Sequence, residues 1–600
     1  MNRMPKFSGD RLRHLRGWKA VWMLAGSVVL PAAASAQAVP PPTTREELDI
    51  ESRLGQRAPS RSTLDVQGGI ERGPCPLADP AFAQTRVTFS KVLFPDLKAV
   101  DPAVLDDTWR DFAGTEQPVA VLCEVRDRAA TALRAMGYLA AVQIPPQRIE
   151  KLGEVSMDVL VAHLAEVQVR GEAGANERAI ADHLAKLTSE PYFNTRVAER
   201  QLLLLSDIPG YQVRLTLKPV AGSPGDVTGD VVVKRRAFEL FAGLQNLGSK
   251  AVGREGVFVQ AVANGMTGLA DQTSVSLFNT LDFSEQTVLQ ASHSFAAGAN
   301  GLRFNASLLY GHSEPAGPLK FKSDTLSGEL GLTYPLVRRR ALSLLAGGGL
   351  EIVNQDVDFG AVPLTRDRLR ILYGRLSLDT VDSASANGRG GYTGAEPRYH
   401  LSAMVEARHG IAGLGASNDC LPITNCTSPN VPISNLLADP SAFVLRAEAT
   451  AEFRPVPMIT IAAAPRAQYS PDTLLSYERF SVGNYTIGRS LDPGTLLGDS
   501  GIGTSLELRY GRLSRTMDNG LALQPFAFVD AAWTWTHYGP ANDPQDAFTG
   551  GGGVRARWGD RIDSAFTLSV PFNNAGFTST KGDVRFLFTI RARLLPWDPS

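Results

Sequence analysis

Few residues in this chain invite a chemical reading. The segment SVGNYTIGRSLDPGTLLGDSG, residues 481–501, sets a single arginine, Arg489, among Gly488, Asp492, Gly494, Gly498, Asp499 and Gly501. A guanidinium stays charged throughout the physiological range, so its chemistry here is to hold a carboxylate. The eight histidines include no H-E-x-x-H pair, and the chain has no Walker-type phosphate loop and no convincing G-x-S-x-G elbow. No catalytic constellation, cofactor site or metal site is therefore read from the sequence, and carboxylates elsewhere are read as wall lining. The 60 basic and 61 acidic residues nearly cancel, which gives no support for a nucleic-acid binder.

The compartment follows from the N-terminus and the cysteines. Arg11, Arg13, Arg16 and Lys19 precede the apolar run AVWMLAGSVVL, and Ala34-Ser35-Ala36 follows it, so residues 1–36 read as a cleaved secretory signal. The alternative, a membrane anchor, needs about 20 apolar residues. Export leads to an oxidising compartment, where Cys75 with Cys123 and Cys420 with Cys426 read as two disulfides rather than free thiols. No histidine or carboxylate cluster flanks either pair. Residues 37–83 read as a linker rich in Pro, Gly and charge. Within it Thr44 and Glu47 form a capping box and Gly55 a stop, which predicts a helix over 44–55, either solvated or a removable plug.

Residues 84–235 hold an internal repeat of about 75 residues, taken as domains 84–163 and 164–235. Each copy reads strand, helix, helix, strand, strand. Gly137-Tyr138 and Gly210-Tyr211 close the second helices, since only glycine takes positive φ cheaply. The matched endings GEVSMDVLV and GDVTGDVVV close the copies.

After Lys234 the period becomes two and stays so to the C-terminus. In DVRFLFTIRARL, Val584, Phe586, Phe588 and Ile590 oppose Asp583, Arg585, Thr589 and Arg591. SLELRYGRL sets Leu506, Leu508 and Tyr510 against Glu507 and Arg509. About sixteen such segments fill roughly 365 residues, and no helical layer remains to cover their apolar faces. A closed transmembrane β-barrel over 236–600, apolar outside and charged inside, meets both constraints; a soluble sandwich or propeller does not. With both ends in the periplasm, loops after odd strands face outward, so the cysteine loop 416–440 and the long loop 473–502 are external. Trp533, Trp535 and Tyr510 fit interfacial girdles.

Two repeats ending in Gly-Tyr ahead of about sixteen strands resemble the two-partner secretion transporters (TpsB type), in the superfamily that includes the barrel assembly protein BamA. The resemblance covers nearly the whole mature chain and implies that the repeats are POTRA-like domains. It also implies a sixth external loop that folds back into the lumen, carrying a [VI]-R-G-[FY] motif whose arginine meets an aspartate in an F-x-D motif on the inner wall. Here YTIGRSLDPG supplies Arg489, with Ser490 and Leu491 where glycine and an aromatic are usual, and GDSG carries Gly498, Asp499 and Gly501. FAFVDAAWTW supplies Phe528 and Asp530, and alternation puts Asp530 on the face opposite Trp533. The resemblance thus implies a bidentate pair between Arg489 and Asp530 that defines a resting loop position.

It further implies an outer-membrane transporter of a Gram-negative cell. The expected partners are a large secreted protein with an N-terminal secretion domain (adhesin- or haemolysin-like), outer-membrane lipid and the barrel assembly machinery, with the POTRA-like domains in the periplasm binding the cargo. A barrel-assembly protein commonly has more such repeats, and a passive porin needs none.

Overall fold

The computed structural model describes residues 43–50, 63–66, 75–220, 223, 225–316, 320–422, 425–426, 431–513, 520–537, 544–576 and 579–596. The leader read at 1–36 and the second half of the helix read at 44–55 lie outside the described residues.

The first helix, α1 (Arg45–Leu48), is one turn with its capping box in place: the Thr44 hydroxyl accepts from the Glu47 amide, and the Glu47 carboxylate accepts from the Thr44 amide. The turn stops at Leu48 because Asp49 is extended (φ −77°, ψ 96°). Residues two apart in a helix point about 200° apart. One extended residue lets both Leu48 and Ile50 enter the same apolar pocket, and both are buried there. Strand β1 (Thr63–Val66) also falls in the segment read as a linker.

The first α/β domain contains β2 (Phe89–Leu93), α2 (Val121–Ala135), β3 (Ala140–Gln143), β4 (Gly153–Ser156) and β5 (Asp158–Val161). Its first helical stretch is a 3₁₀ run, Pro102–Thr108, and α2 buries Leu122, Val125, Ala129 and Leu133 on one face. A disulfide joins Cys75 to Cys123 at the start of α2, Cα atoms 5.9 Å apart. The second domain contains β6 (His163–Gly171), α3 (Glu177–Thr188), α4 (Thr195–Ser206), β7 (Tyr211–Pro219) and β8 (Asp226–Arg235). Its sheet order is β1-β7-β8-β6, with β1 parallel to β7 in the register Thr63↔Arg214 to Val66↔Leu217. Gly137 (φ +98°) and Gly210 (φ +78°) end the second helices, and a Cβ on Gly137 would lie 2.5 Å from Asn194 Oδ1 of the next domain.

Sixteen antiparallel strands then close a barrel: β9 (Phe238–Gln245), β10 (Gly256–Asn264), β11 (Gln272–Thr280), β12 (Gln286–Ala296), β13 (Arg303–Ser313), β14 (Phe321–Arg338), β15 (Leu342–Phe359), β16 (Val362–Val381), β17 (Tyr399–Gly410), β18 (Phe443–Val456), β19 (Ile459–Tyr469), β20 (Ser500–Tyr510), β21 (Leu521–Trp535), β22 (Gln545–Trp558), β23 (Ile562–Pro571) and β24 (Arg585–Leu595). Closure is made by β9 against β24, from Leu240↔Leu595 to Gln245↔Thr589. Leu506, Leu508, Val529 and Phe586 point outward and are about half exposed, while Glu507 and Asp530 are buried. An apolar exterior with charge inside is stable only where lipid, not water, wets the outside.

The second domain is docked on the turns that join β10 to β11, β12 to β13 and β14 to β15. Asp207 accepts from Arg338 Nε at 2.7 Å and from Nη2 at 2.6 Å. Lys186 reaches the Ala299 carbonyl, and Glu199 accepts from the Arg340 amide. The fully buried Asn176 accepts from the Ala270 amide and donates to the Tyr211 hydroxyl, so the tyrosine of the Gly-Tyr closing helps fasten the domain to the barrel.

Candidate functional site: the chain segments inside the barrel

Residues 470–499 join β19 to β20 and turn back into the lumen. A 3₁₀ turn, Ser476–Glu478, leads into a two-stranded ribbon in which Phe480, Ser481 and Val482 pair with Gly498, Leu497 and Leu496. Phe480, Val482, Ile487, Leu491 and Leu496 form one apolar cluster with the wall residues Ala532 and Ala547. Leu491, which stands where the family motif has an aromatic, is therefore the buried anchor of the tip. Gly488 (φ +105°) makes the turn that lets the Leu491 amide donate to its carbonyl, and Gly501 lies so close to Phe480 that a Cβ would come 2.2 Å from the ring.

The charged residues of the tip separate into three contacts. Arg489 Nη2 lies 2.6 Å from Glu507 Oε1 on β20 and 3.7 Å from Asp530 Oδ1 on β21. It also donates to Ser505 Oγ, and its guanidinium lies 3.9 Å above the Phe528 ring, a cation–π contact. Asp530 Oδ2 accepts from the backbone amide of Arg489 at 3.1 Å and from the Thr549 hydroxyl at 3.1 Å. The bidentate side-chain pair implied for Arg489 and Asp530 is thus replaced by a divided contact. The tip sits deep enough for the main chain to reach Asp530, and the guanidinium then extends past it to Glu507. Glu507 in turn accepts from Arg509 Nε at 2.6 Å and from Arg555 Nη2 at 2.9 Å, so one carboxylate serves three guanidiniums.

Asp492 accepts from Arg585 Nη1 at 2.7 Å on the last strand and from the Lys250 amide, tying the tip to the seam where the barrel closes. Gly494 carries φ +67° beside it. Asp499 caps the loop base, accepting from the Leu474 amide at 3.0 Å and the His537 amide at 2.9 Å. A Cβ on Gly498 would lie 2.8 Å from the Trp535 carbonyl.

A second clamp has no counterpart in the sequence reading. Glu478 is held by Arg408 through Nε at 3.0 Å and Nη2 at 2.9 Å, and by Arg446 Nη2 at 3.1 Å. Arg408 also meets Glu351 at 2.6 Å and Glu406 at 3.1 Å. Burial alone would raise the Glu478 carboxyl, but the two guanidiniums outweigh it and pull it down to about 2. The only signal available in the sequence was alternation, which puts Glu406, Arg408 and Arg446 on the faces away from lipid without pairing them.

The N-terminal segment shares this space. Glu46 lies 3.2 Å from Arg466, which also meets Glu448, and the Gln355 side chain donates to the Thr43 carbonyl at 3.2 Å. Burial would raise Glu46, and the charges of Arg466 and Arg45 hold it below the ordinary carboxylate range. Leu48 sits so close to Gly311 on β13 that a Cβ there would come 2.4 Å from its Cδ2. On the external side, a disulfide joins Cys420 to Cys426, and both pack in the same cluster as Leu475 and Tyr477 at the loop base. No group of His, Cys, Asp and Glu among the described residues is arranged to hold a metal ion.

The sequence family described as "Haemolysin secretion/activation protein ShlB/FhaC/HecB" matches residues 230–556, more than half of the chain. A curated relative, the heme/hemopexin transporter protein HuxB of Haemophilus influenzae (strain 86-028NP), is 24% identical over 242 residues, 38% of this chain and 41% of the relative. The match thus spans less than half the length of that relative. CdiB from Escherichia coli has the same fold, with a TM-score of 0.67 at 15% identity over 85% of this chain and 91% of its own. CdiB from Acinetobacter baumannii aligns with a TM-score of 0.61 at 15% identity, covering 91% and 95% of the two chains. The apolar barrel wall, the charged lumen and the family match agree: the chain belongs to the ShlB/FhaC/HecB family of haemolysin secretion/activation proteins, and it resides in the Gram-negative outer membrane with its N-terminal domains in the periplasm.

Proposed function

We propose that the protein secretes one large partner protein across the outer membrane, by the two-partner route, and that its two α/β domains, read as POTRA-like, receive that cargo in the periplasm. The observation that carries this reading is the sheet edge at β7. It already accepts an extended four-residue stretch of the chain, β1, through main-chain pairing. Main-chain pairing is indifferent to most side chains, so an unfolded cargo with an N-terminal secretion domain can take the same edge by β-augmentation. The cargo then passes through a lumen now filled by α1 and the long loop, and folds outside. ATP is not expected in the periplasm, so the driving force comes from cargo binding and folding. Residues 43–50 act as a displaceable plug, and the Arg489, Glu507, Asp530 and Phe528 contacts define the resting position of the loop. Carboxylates and arginines in the lumen line the wall and perform no catalysis.

The test is secretion of the cargo by a strain carrying the full protein, a variant lacking 164–235, and one with Val213→Pro and Leu215→Pro in β7. Both variants should assemble a heat-modifiable barrel and secrete nothing. Normal secretion by the 164–235 deletion, with a wild-type amount of folded barrel, would show that these domains are not the receptor.

A further inference from the structure

The external segment 431–442 lies between the barrel wall and the base of the inward loop, and no motif accounts for it. Its Ser434 touches both sides. On the wall side, the Ser434 amide donates to Asp367 Oδ1 at 2.7 Å and the Ser434 hydroxyl donates to Asp367 Oδ2 at 2.5 Å. Asp367 lies on β16 and is 1% exposed. On the loop side, the same hydroxyl accepts from the Ser476 amide at 3.2 Å. A hydroxyl has one proton to give and two lone pairs to receive with, so Ser434 is used in both directions at once.

Ser476 is the first residue of the 3₁₀ turn that ends at Glu478, the residue clamped by Arg408 and Arg446. The segment meets the loop at two more points: the Asp439 amide donates to the Thr473 carbonyl at 3.0 Å, and the Asn435 side chain donates to the Leu474 carbonyl at 3.4 Å. Ile433 and Ala438 are buried with Leu475 and Tyr477. The far leg is fixed to the upper part of β16, where the Arg366 amide donates to the Pro432 carbonyl at 2.8 Å. The segment therefore hangs from one wall strand and holds the loop base from above.

We infer that segment 431–442 is a strap that sets the resting position of the inward loop, and that Ser434 and Asp367 are its positioning residues: the wall carboxylate holds the serine, and the serine holds the turn that carries Glu478. The inference rests on the proposed function in that the loop must leave the lumen for cargo to pass. The strap must then be released in each transport cycle, and weakening it favours the open lumen.

The experiment uses the full chain in planar bilayers, without cargo, so that it stands or falls separately from the secretion reading. Ser434→Ala and Asp367→Asn should each raise the frequency of large-conductance openings roughly tenfold, the ratio associated with one hydrogen bond to a charged group. Residues 473–478 should become accessible to added protease, while heat-modifiable mobility of the barrel stays as in wild type. Ser434→Thr keeps the hydroxyl and should stay near wild type. Wild-type openings and wild-type proteolysis in both Ser434→Ala and Asp367→Asn would overturn the strap. Equal effects of Ala and Thr at 434 would overturn the role given to the hydroxyl.

Discussion

Arg489 lies closer to Glu507 than to Asp530, 2.6 Å against 3.7 Å, and Asp530 instead accepts the arginine's main-chain amide. The two carboxylates divide the work: one holds the guanidinium, the other holds the backbone of the tip. Glu507 is buried and shared with Arg509 and Arg555, so its removal strands charge in a poorly solvated site.

Glu507→Gln should therefore loosen the loop more than Asp530→Asn does. Removing one member of a buried ion cluster costs about 3–5 kcal/mol, whereas asparagine at 530 keeps a carbonyl oxygen that can still accept from the Arg489 amide. The temperature at which the folded gel band disappears, with protease cutting of the loop, ranks the variants. Asp530→Ala should still have an effect in an Arg489→Ala background, because the amide contact survives that change. A double mutant no worse than Arg489→Ala alone would falsify the divided contact.

Acid should release the loop base through Glu478. Its carboxyl is lowered from 4.5 to about 2 by Arg408 and Arg446 acting against burial. A depressed carboxyl contributes its full stabilisation above the ordinary pKa and loses it as pH falls through the folded value, here on the order of 3 kcal/mol between pH 5 and 2. Proteolysis of 473–480 by an acid-active protease should rise across that window in wild type. Glu478→Gln should be cut at neutral pH already, with a flatter pH profile; an unchanged profile would remove Glu478 from the account.

The Cys75–Cys123 bridge closes a loop of sequence separation 48 and anchors the start of the first domain to α2. Opening it should cost about 2–4 kcal/mol, most of it through freedom regained by the unfolded chain. Limited proteolysis with and without reductant should show faster loss of residues 75–161 on reduction and an unaffected barrel. Equal digestion in both conditions would mean that the domain holds itself together without the bridge.

Domain docking depends on the two-pronged contact between Asp207 and Arg338, which is only partly exposed. Arg338→Ala should weaken docking by about 1–2 kcal/mol, a several-fold rise in the undocked population. Spin-label distances between α4 and the turn at 339–341 should broaden toward longer values. Broadening of the same size in an Arg340→Ala control, whose docking contact is through its backbone amide, would assign the effect to something other than this pair.

Much of this architecture was legible in the chain. The about sixteen alternating segments read over 236–600 are the sixteen strands of the closed barrel, from Phe238 to Leu595. A barrel strand must alternate apolar and polar residues because lipid and lumen lie on opposite faces, and a two-residue period survives any ambiguity about where a strand ends. The same alternation placed Asp530 and Glu507 inside, and Gly137 and Gly210 showed where helices stop. It could not pair them. The distance from Arg489 to either carboxylate depends on register, which sets Ser505 opposite Asp530 and Glu507 opposite Phe528, and on how deep the loop descends. Glu478 carries no signal of its own in the sequence, because its partners, Arg408 and Arg446, are 70 and 32 positions away. Of the helix expected over 44–55, the turn Arg45–Leu48 is in place, Asp49 is extended and Ile50 is helical again, and residues 51–55 lie outside the described residues; the break at Asp49 lets Leu48 and Ile50 enter one lumen pocket. The sequence by itself determined which face each strand shows to lipid, because that is a local constraint repeated every two residues. Which charges meet inside was decided only by the closed barrel, because burial makes the pairing of distant guanidiniums and carboxylates obligatory, and nothing local in the chain records their distance.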